Sequence, residues 1–295
     1  MPKIIQFASE FERYIRLHVY PLHFFVKQFF QKPSSESPSP VVVSLTTIPD
    51  RIHRLLPTLN SILSQTIRPN AIYLNIPHHS QRQEQDYEIP KQIQACSPIQ
   101  ILRTDQDWGP ATKLLPLLQQ TLSPETQIIV LDDDQIYPQR LIENYLRYSR
   151  QYPDAALCLA GWQIPKGLIH KLRTPLEGAR TRLLDRPPNV FDTPQPVEII
   201  QGSTSYLVRP KFFDPTILNY EKAPSAAFFA DDIWISGHLA RNQIPRLVIP
   251  GNFHYARIQA LTALKTLSLC QAENKDGKNN QLLYEFFQQD WQRFA

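Results

Sequence analysis

The sequence predicts an α/β protein: a mostly parallel sheet with helices on both faces, preceded by a helical arm. Three observations carry this expectation. Apolar runs rich in β-branched residues stand at 41–45, 72–76, 99–102 and 128–131, about 30 residues apart, which is the spacing of βαβ units. Helix-like or loop segments fill the gaps between them. A chain of 295 residues that is 42% apolar and 20% charged is long enough to bury one large core or two small ones.

Taken in order, residues 1–32 place Ile4, Phe7, Phe11, Ile15, Leu22, Phe25 and Phe29 near helical spacing, beside basic residues. Pro21 should bend or end that helix. Charged residues interrupt every apolar run, so no stretch reaches the ~18 residues of a membrane span, and a signal peptide is not indicated. Two readings stay open: an arm packed on the main domain or on another subunit, or a helix lying on a membrane surface. Residues 33–40 (PSSESPSP within them) form a linker by composition.

The main domain is expected over 41–255, with a nucleotide-binding half at 41–138 and an acceptor half at 139–255. After the first strand, Leu59, Ile62 and Leu63 mark a helix that tolerates Pro57 in its first turn. A helix over 111–122 should open at Gly109-Pro110, and another should run from Pro138 through Tyr152. Beyond Pro153, short strands are expected at 155–160, 205–208 and 247–249, with a strong helix at 232–240. Residues 165–200 show no clear period and read as a loop region that could cover a site. The tail, 256–295, ends in an amphipathic helix carrying Leu282, Leu283, Phe286, Phe287 and Trp291.

Composition excludes several classes. Glycine is scarce, 8 of 295, and proline abundant, 27 of 295, against usual shares of about 7% and 5%. No two glycines lie within five residues of each other, so neither a dinucleotide-binding turn nor a P-loop is present. A net charge of +4, dispersed along the chain, does not indicate nucleic acid. Three separated cysteines, Cys96, Cys158 and Cys270, support neither a disulfide framework nor a zinc knuckle and suit a reducing compartment.

The chemistry concentrates in three constellations. Asp132-Asp133-Asp134 follows the fourth strand, and the carboxyl ends of parallel strands are where open α/β sheets bind ligands. Three adjacent carboxylates repel one another unless a cation or donors offset them. On an extended strand end, Asp132 and Asp134 would share a side and could hold a divalent cation against a diphosphate; a solvated turn is the alternative. Asp231-Asp232 enters a helix, where capping and a general base compete as explanations. Lys113, in Asp107-Trp108-Gly109-Pro110-Ala111-Thr112-Lys113, falls in the first turn of the helix expected there, where free amides and a cation favour phosphate. A second D-x-D, Asp105-Gln106-Asp107, is about what chance yields.

The order of VVVSLTTIPDR (41–51), IYLNIP (72–77), DWGPATKLLP (107–116), VLDDDQIYP (130–138) and ADDIWISGHLA (230–240) resembles a nucleotide-sugar glycosyltransferase of the GT-A type, close to the family-2-like and exostosin-like domains, over about residues 40–255. The resemblance implies a GT-A (Rossmann-like) fold and transfer of a sugar from a nucleoside-diphosphate sugar, most readily a UDP-sugar, to a hydroxyl of a glycan or other acceptor. It implies Mn or Mg held by Asp134 and Asp132, with His254 as a third ligand. Nucleotide-sugar contacts are implied for Thr46, Thr47, Arg51, Asn75, Asp105, Lys113, Asp132 and Asp133. Asp232, with Asp231 beside it, would face the acceptor hydroxyl, and both inverting and retaining outcomes stay open.

Rival readings are a metal-dependent nucleotidyltransferase, which would want a Gly-rich segment that SLTTIPDR lacks, and an aspartyl-phosphate phosphatase, which would want its D-x-D on the first strand. A non-catalytic module that recruits glycan machinery to a membrane is the reading from another class. The expected location is cytoplasmic, with residues 1–32 available for peripheral contact with the membrane's cytoplasmic face.

Overall fold

The computed structural model describes residues 3–31, 39–164, 174–177, 193–251, 258–259 and 277–291. Its principal strands are β1 (Val41–Thr46), β2 (Ala71–Pro77), β3 (Ile99–Thr104), β4 (Gln127–Leu131), β5 (Ala156–Cys158), β6 (Tyr206–Val208) and β7 (Arg246–Val248), and its principal helices α1 (Lys3–Val19), α2 (Leu22–Gln31), α3 (Leu56–Leu63), α4 (Leu141–Gln151), α5 (Asp231–Arg241) and α6 (Lys278–Phe286). One eight-stranded sheet has the order β3-β2-β1-β4-β6-β5-β7, with Gln195–Pro196 added antiparallel at the β7 edge. β1, β2, β3 and β4 run parallel, as do β5 and β7. Only β6 among the central strands runs against its neighbours. The chain is therefore an α/β protein built on a mostly parallel sheet.

The β-branched runs form strands because both faces of this sheet are covered, so every side chain finds apolar surroundings. Val41, Val43, Leu45, Ile129 and Leu131 pack on one side with Leu59, Ile62 and Leu63 of α3 and Ile142, Tyr145 and Leu146 of α4. Val42, Ile128 and Val130 pack on the other with Leu114, Leu117 and with Ile235 and Leu239 of α5. This is the two-residue alternation of a pleated strand.

The arm packs on the domain. Pro21 separates α1 from α2 as expected, and Leu17, Leu22 and Phe25 are buried in the same core cluster as α3. Asn60 of α3 donates from Nδ2 to the carbonyls of Leu17 and Tyr20, both at 2.9 Å, and so satisfies two orphan carbonyls at the end of α1. Arg13 Nη2 donates to Tyr137 O at 2.8 Å. No helix among the described residues is long and apolar enough to cross a membrane.

Several expectations are corrected. The helix over 111–122 is instead a 3-10 turn, Gly109–Lys113, followed by a single α-turn, Leu115–Leu118. Pro116 has no N–H to offer the carbonyl of Thr112, and Leu114 breaks the path at φ −126°, ψ −47°. The strand at 155–160 splits at Leu159, and Ala160–Gln163 joins a separate antiparallel sheet with Thr174–Glu177 and Ile199–Ile200. The region 165–200 thus contains strands where no period was visible; 165–173 and 178–192 lie outside the described residues. Most of the linker also lies outside them.

The tail helix exists as α6, followed by a turn at Gln288–Trp291. Phe287 packs so closely on α5 that a Cβ at Gly237 would stand 2.3 Å from its ring. His238 lies between Trp234 and Phe287, with ring centroids at 4.5 and 5.3 Å, and neither ring nitrogen is hydrogen-bonded among the described residues. Burial, followed by the charge of Arg241, pushes its pKa down to about 3. The unfolded chain takes a proton at this residue near pH 6.5, whereas the native state refuses it until about 3, so stability falls as pH drops through that window. The slope attributable to this group is at most about 1.4 kcal/mol per pH unit. Urea melts from pH 7 to 4 should show His238→Phe losing less stability than the wild type; parallel losses would refute the assignment.

Candidate active site

The cavity lies at the carboxyl ends of β1 and β4, where the sheet changes from parallel strands to the reversed β6. Reversal of β6 brings its leading loop, with Gln201 and Ser203, to the same edge as Thr46 and Thr47 after β1 and Asp132, Asp133 and Asp134 after β4. The start of α5 closes the opposite wall with Asp231 and Asp232, and the volume enclosed is ≈ 450 Å³. Two acidic clusters almost a hundred positions apart therefore face one space. Asp107, Asp132, Asp133, Asp134, Asp231 and Asp232 line it against the cations Arg51, Arg82 and Lys113.

Each carboxylate has a specific partner. Lys113 is buried, and its Nζ lies 2.9 Å from both Asp132 Oδ1 and Asp231 Oδ2, joining the two clusters. Burial works against its charge, but Asp132 and Asp231 outweigh that and hold it well above the ordinary lysine value. Arg51 spans Asp133 (Nε to Oδ2, 3.1 Å) and Asp134 (Nη1 to Oδ2, 3.5 Å). Thr47 Oγ1 donates to Asp133 Oδ2 at 2.6 Å. Burial pushes Asp133 up to about 6 against the opposing pull of Arg51. The triad occupies a turn rather than an extended strand end, so the simple alternation expected for Asp132 and Asp134 does not apply; all three line the cavity, Asp132 paired with Lys113 and both Asp133 and Asp134 with Arg51.

Asp232 accepts the backbone N–H of Gly202 at Oδ1 (2.7 Å), and its other oxygen accepts no hydrogen bond among the described residues. Burial, then the adjacent Asp231, push its pKa up to about 8, while Lys113 pulls the other way. Gly202 lies close to both charged groups: a Cβ there would stand 2.8 Å from Lys113 Nζ and 2.9 Å from Asp232 Oδ1, so a larger residue would have to displace them.

The 3-10 turn carrying Lys113 is not an open phosphate cradle. Asp107 Oδ1 accepts from Gly109 N at 2.8 Å, and Trp108 N donates to Thr112 Oγ1 at 3.0 Å. Gly109 sits at φ +59°, and a Cβ there would meet Phe228 O at 2.1 Å, so both the backbone conformation and the close approach call for glycine. Lys113 thus serves as a buried bridge between carboxylates, a role that the expectation of a phosphate-favouring cation did not contain.

Of the residues singled out from sequence, Thr46, Thr47, Arg51, Lys113, Asp132, Asp133, Asp134, Asp231 and Asp232 line the cavity. Asn75 does not: it is buried behind the wall, donating to Ser44 Oγ at 2.8 Å and to Lys113 O at 3.2 Å, and so fixes the strand ends. Asp105 is fully exposed outside the cavity, 3.7 Å from His78 Nε2. Its neighbour two residues on, Asp107, is the one that turns inward. His254 lies outside the described residues. Sequence reasoning missed Tyr137, whose hydroxyl accepts from Asp132 N (2.7 Å) and donates to Asp132 O (3.0 Å), clamping the first aspartate's backbone. It also missed Tyr87, Trp162, Gln201 and Gly202. None of these carried a local signal: every glycine of the chain is isolated, so isolation does not single out Gly202.

A divalent cation is chemically compatible with this donor set. Among the described residues no three His, Cys, Asp or Glu side chains form a ready-made metal cage. Cations that serve phosphate substrates need no such cage, because one or two carboxylates, waters and the phosphates complete the shell. Asp132 and Asp134 would be those carboxylates, in a cavity where six aspartates outnumber three cations. No protein-family model matches the chain, and no curated protein matches it.

Proposed function

We propose that the protein is a cation-dependent glycosyltransferase of GT-A type that moves a sugar from a nucleoside-diphosphate sugar, a UDP-sugar first among them, to an acceptor hydroxyl. The observation that carries this reading is the convergence of the Asp132–Asp134 turn and the Asp231–Asp232 pair on opposite walls of one cavity, joined by Lys113. Asp132 and Asp134 would hold Mn or Mg, which supplies positive charge at the departing diphosphate. Thr46, Thr47 and Arg51 present hydroxyls and a guanidinium on the nucleotide side.

Asp232 is the base. Its raised pKa matches the work of removing a proton from a hydroxyl, and Gly202 N–H fixes one oxygen so that the other can accept it. The acceptor oxygen forms a bond to the anomeric carbon as the anomeric carbon–phosphate oxygen bond breaks. The proton passes to Asp232 and the bonding pair leaves on the diphosphate, a single inverting displacement.

Thermal-shift measurements with a panel of nucleotide sugars, with and without Mn, test donor binding, since a bound donor raises Tm by mass action. No shift with any donor would overturn the reading. For Asp232→Asn the donor-induced shift should persist while transfer falls by about 10²–10⁴. Because the proton must leave Asp232 first, wild-type kcat/KM should rise tenfold per pH unit and level off at or below pH 8, a bound cation acting to lower that limit. A pH-independent wild type would remove Asp232 from the role of base.

A further inference from the structure

The two-helix arm has an outer face that the domain does not cover. Phe11, Ile15 and Val19 of α1 are 51%, 47% and 67% exposed, and Phe30 of α2 is 63% exposed, with Tyr20 and Phe24 each at 36%. Six of the nine large exposed apolar side chains among the described residues thus fall within 20 positions of the arm. Phe11, Ile15 and Val19 recur at four-residue spacing and form one stripe. On α2 the exposed residues are His23, Phe24, Lys27 and Phe30, so a cation and an imidazole stand among the aromatics.

The opposite side of the arm is fixed to the domain by Leu17, Leu22 and Phe25 and by the bonds from Asn60. Arg68 of the domain donates to Phe29 O, adding a further tie at the end of α2. The outer face is therefore held on a rigid support. A solvated helix would place charged residues where these rings stand, and exposed apolar side chains gathered on one element mark an interaction site.

We infer that this face docks on an anionic lipid surface, with Phe11, Ile15, Val19, Phe24 and Phe30 entering the headgroup–acyl boundary and Lys27 meeting lipid phosphate. Charge argues for a lipid over a second copy of the chain. By sequence the arm carries five basic residues against two acidic ones. Among its described side chains Arg13 is tied to Tyr137 O and Arg16 is paired with Glu12, while Lys27 stands exposed among the rings. A second copy would therefore meet the same net positive charge, whereas an anionic bilayer matches both Lys27 and the rings. Docking is peripheral, because neither helix is long and apolar enough to span. The inference does not depend on what the cavity catalyses.

Flotation of the full chain tests it, using vesicles of phosphatidylcholine alone and of phosphatidylcholine mixed with phosphatidylglycerol. The wild type should float with the anionic vesicles, and less so as salt rises. Lys27→Glu should lower the partition coefficient about tenfold or more. Phe11→Ser combined with Phe30→Ser should abolish flotation while leaving Tm near the wild type, since both rings are exposed. Absence of wild-type flotation on anionic vesicles would overturn the inference. So would equal flotation of the variants, or a concentration-dependent dimer that those same substitutions dissolve.

Discussion

Asp134→Asn is expected to cut cation-dependent turnover of a nucleotide sugar by about a thousandfold or more while leaving the fold intact. The two effects separate because Asp134 contributes little to stability. The bond that Asp134 Oδ1 accepts from Gln135 Nε2 (2.8 Å) can be kept by the amide oxygen of asparagine. The contact of Asp134 with Arg51 is long, 3.5 Å, and Arg51 keeps the shorter 3.1 Å pair with Asp133 when Asp134 is neutralised. A pair of that kind is worth about 1 kcal/mol or less, so Tm should move by only a few degrees. The amide retains the shape and one acceptor oxygen but not the charge that a cation requires of its ligand. Measuring donor hydrolysis across a Mn series, together with the melting curve, decides the matter. Wild-type turnover in the variant would overturn the cation site; collapse of the fold would mean that the triad is structural instead.

Lys113→Met should do the reverse, with stability suffering first. Its ammonium is the shared partner of Asp132 and Asp231, and its side chain is only 6% exposed. Methionine fills the space but leaves two carboxylates in a poorly solvated cavity without their cation, a loss of about 3–5 kcal/mol. For a chain of this size that is a fall in Tm on the order of 10 °C. Adding Asp231→Asn to Lys113→Met removes one uncompensated charge and should recover part of the loss, which a merely steric defect would not. An unchanged Tm in the single variant would show that the bridge contributes nothing to the fold.

The strands of the parallel half were legible because burial on both faces makes their sequences continuously apolar, as in Val41–Val43 and Ile128–Leu131. The acidic pairs were legible because carboxylates at strand ends and helix starts are local signals. What escaped was non-local. Lys113 reads from its local sequence as a cation for phosphate, and its bridging role shows only when Asp231, 118 positions later, is brought against it. Asn75 stands towards the end of an apolar strand like a site residue, yet its amide nitrogen is spent on Ser44 and Lys113. Asp105 and Asp107 cannot be told apart by letter; only the turn at Gly109, which draws Asp107 inward, separates them. The short strands after Pro153 have two to four residues each, too few to display a period.

The position of β6 in the sheet bears on how the chain is made. β4 and β5 are successive in sequence among the strands of this sheet, yet they never pair; β6, which begins at Tyr206, lies between them. While the chain emerges from the ribosome, the Ile128–Val130 edge of β4 must wait for some seventy further residues before its neighbour exists. Until then the nascent protein presents an open apolar strand edge to other chains, the condition under which chaperone protection counts most. It also means that a cut between residues 138 and 139 would not yield two independent halves, because the strand completing the first is encoded in the second.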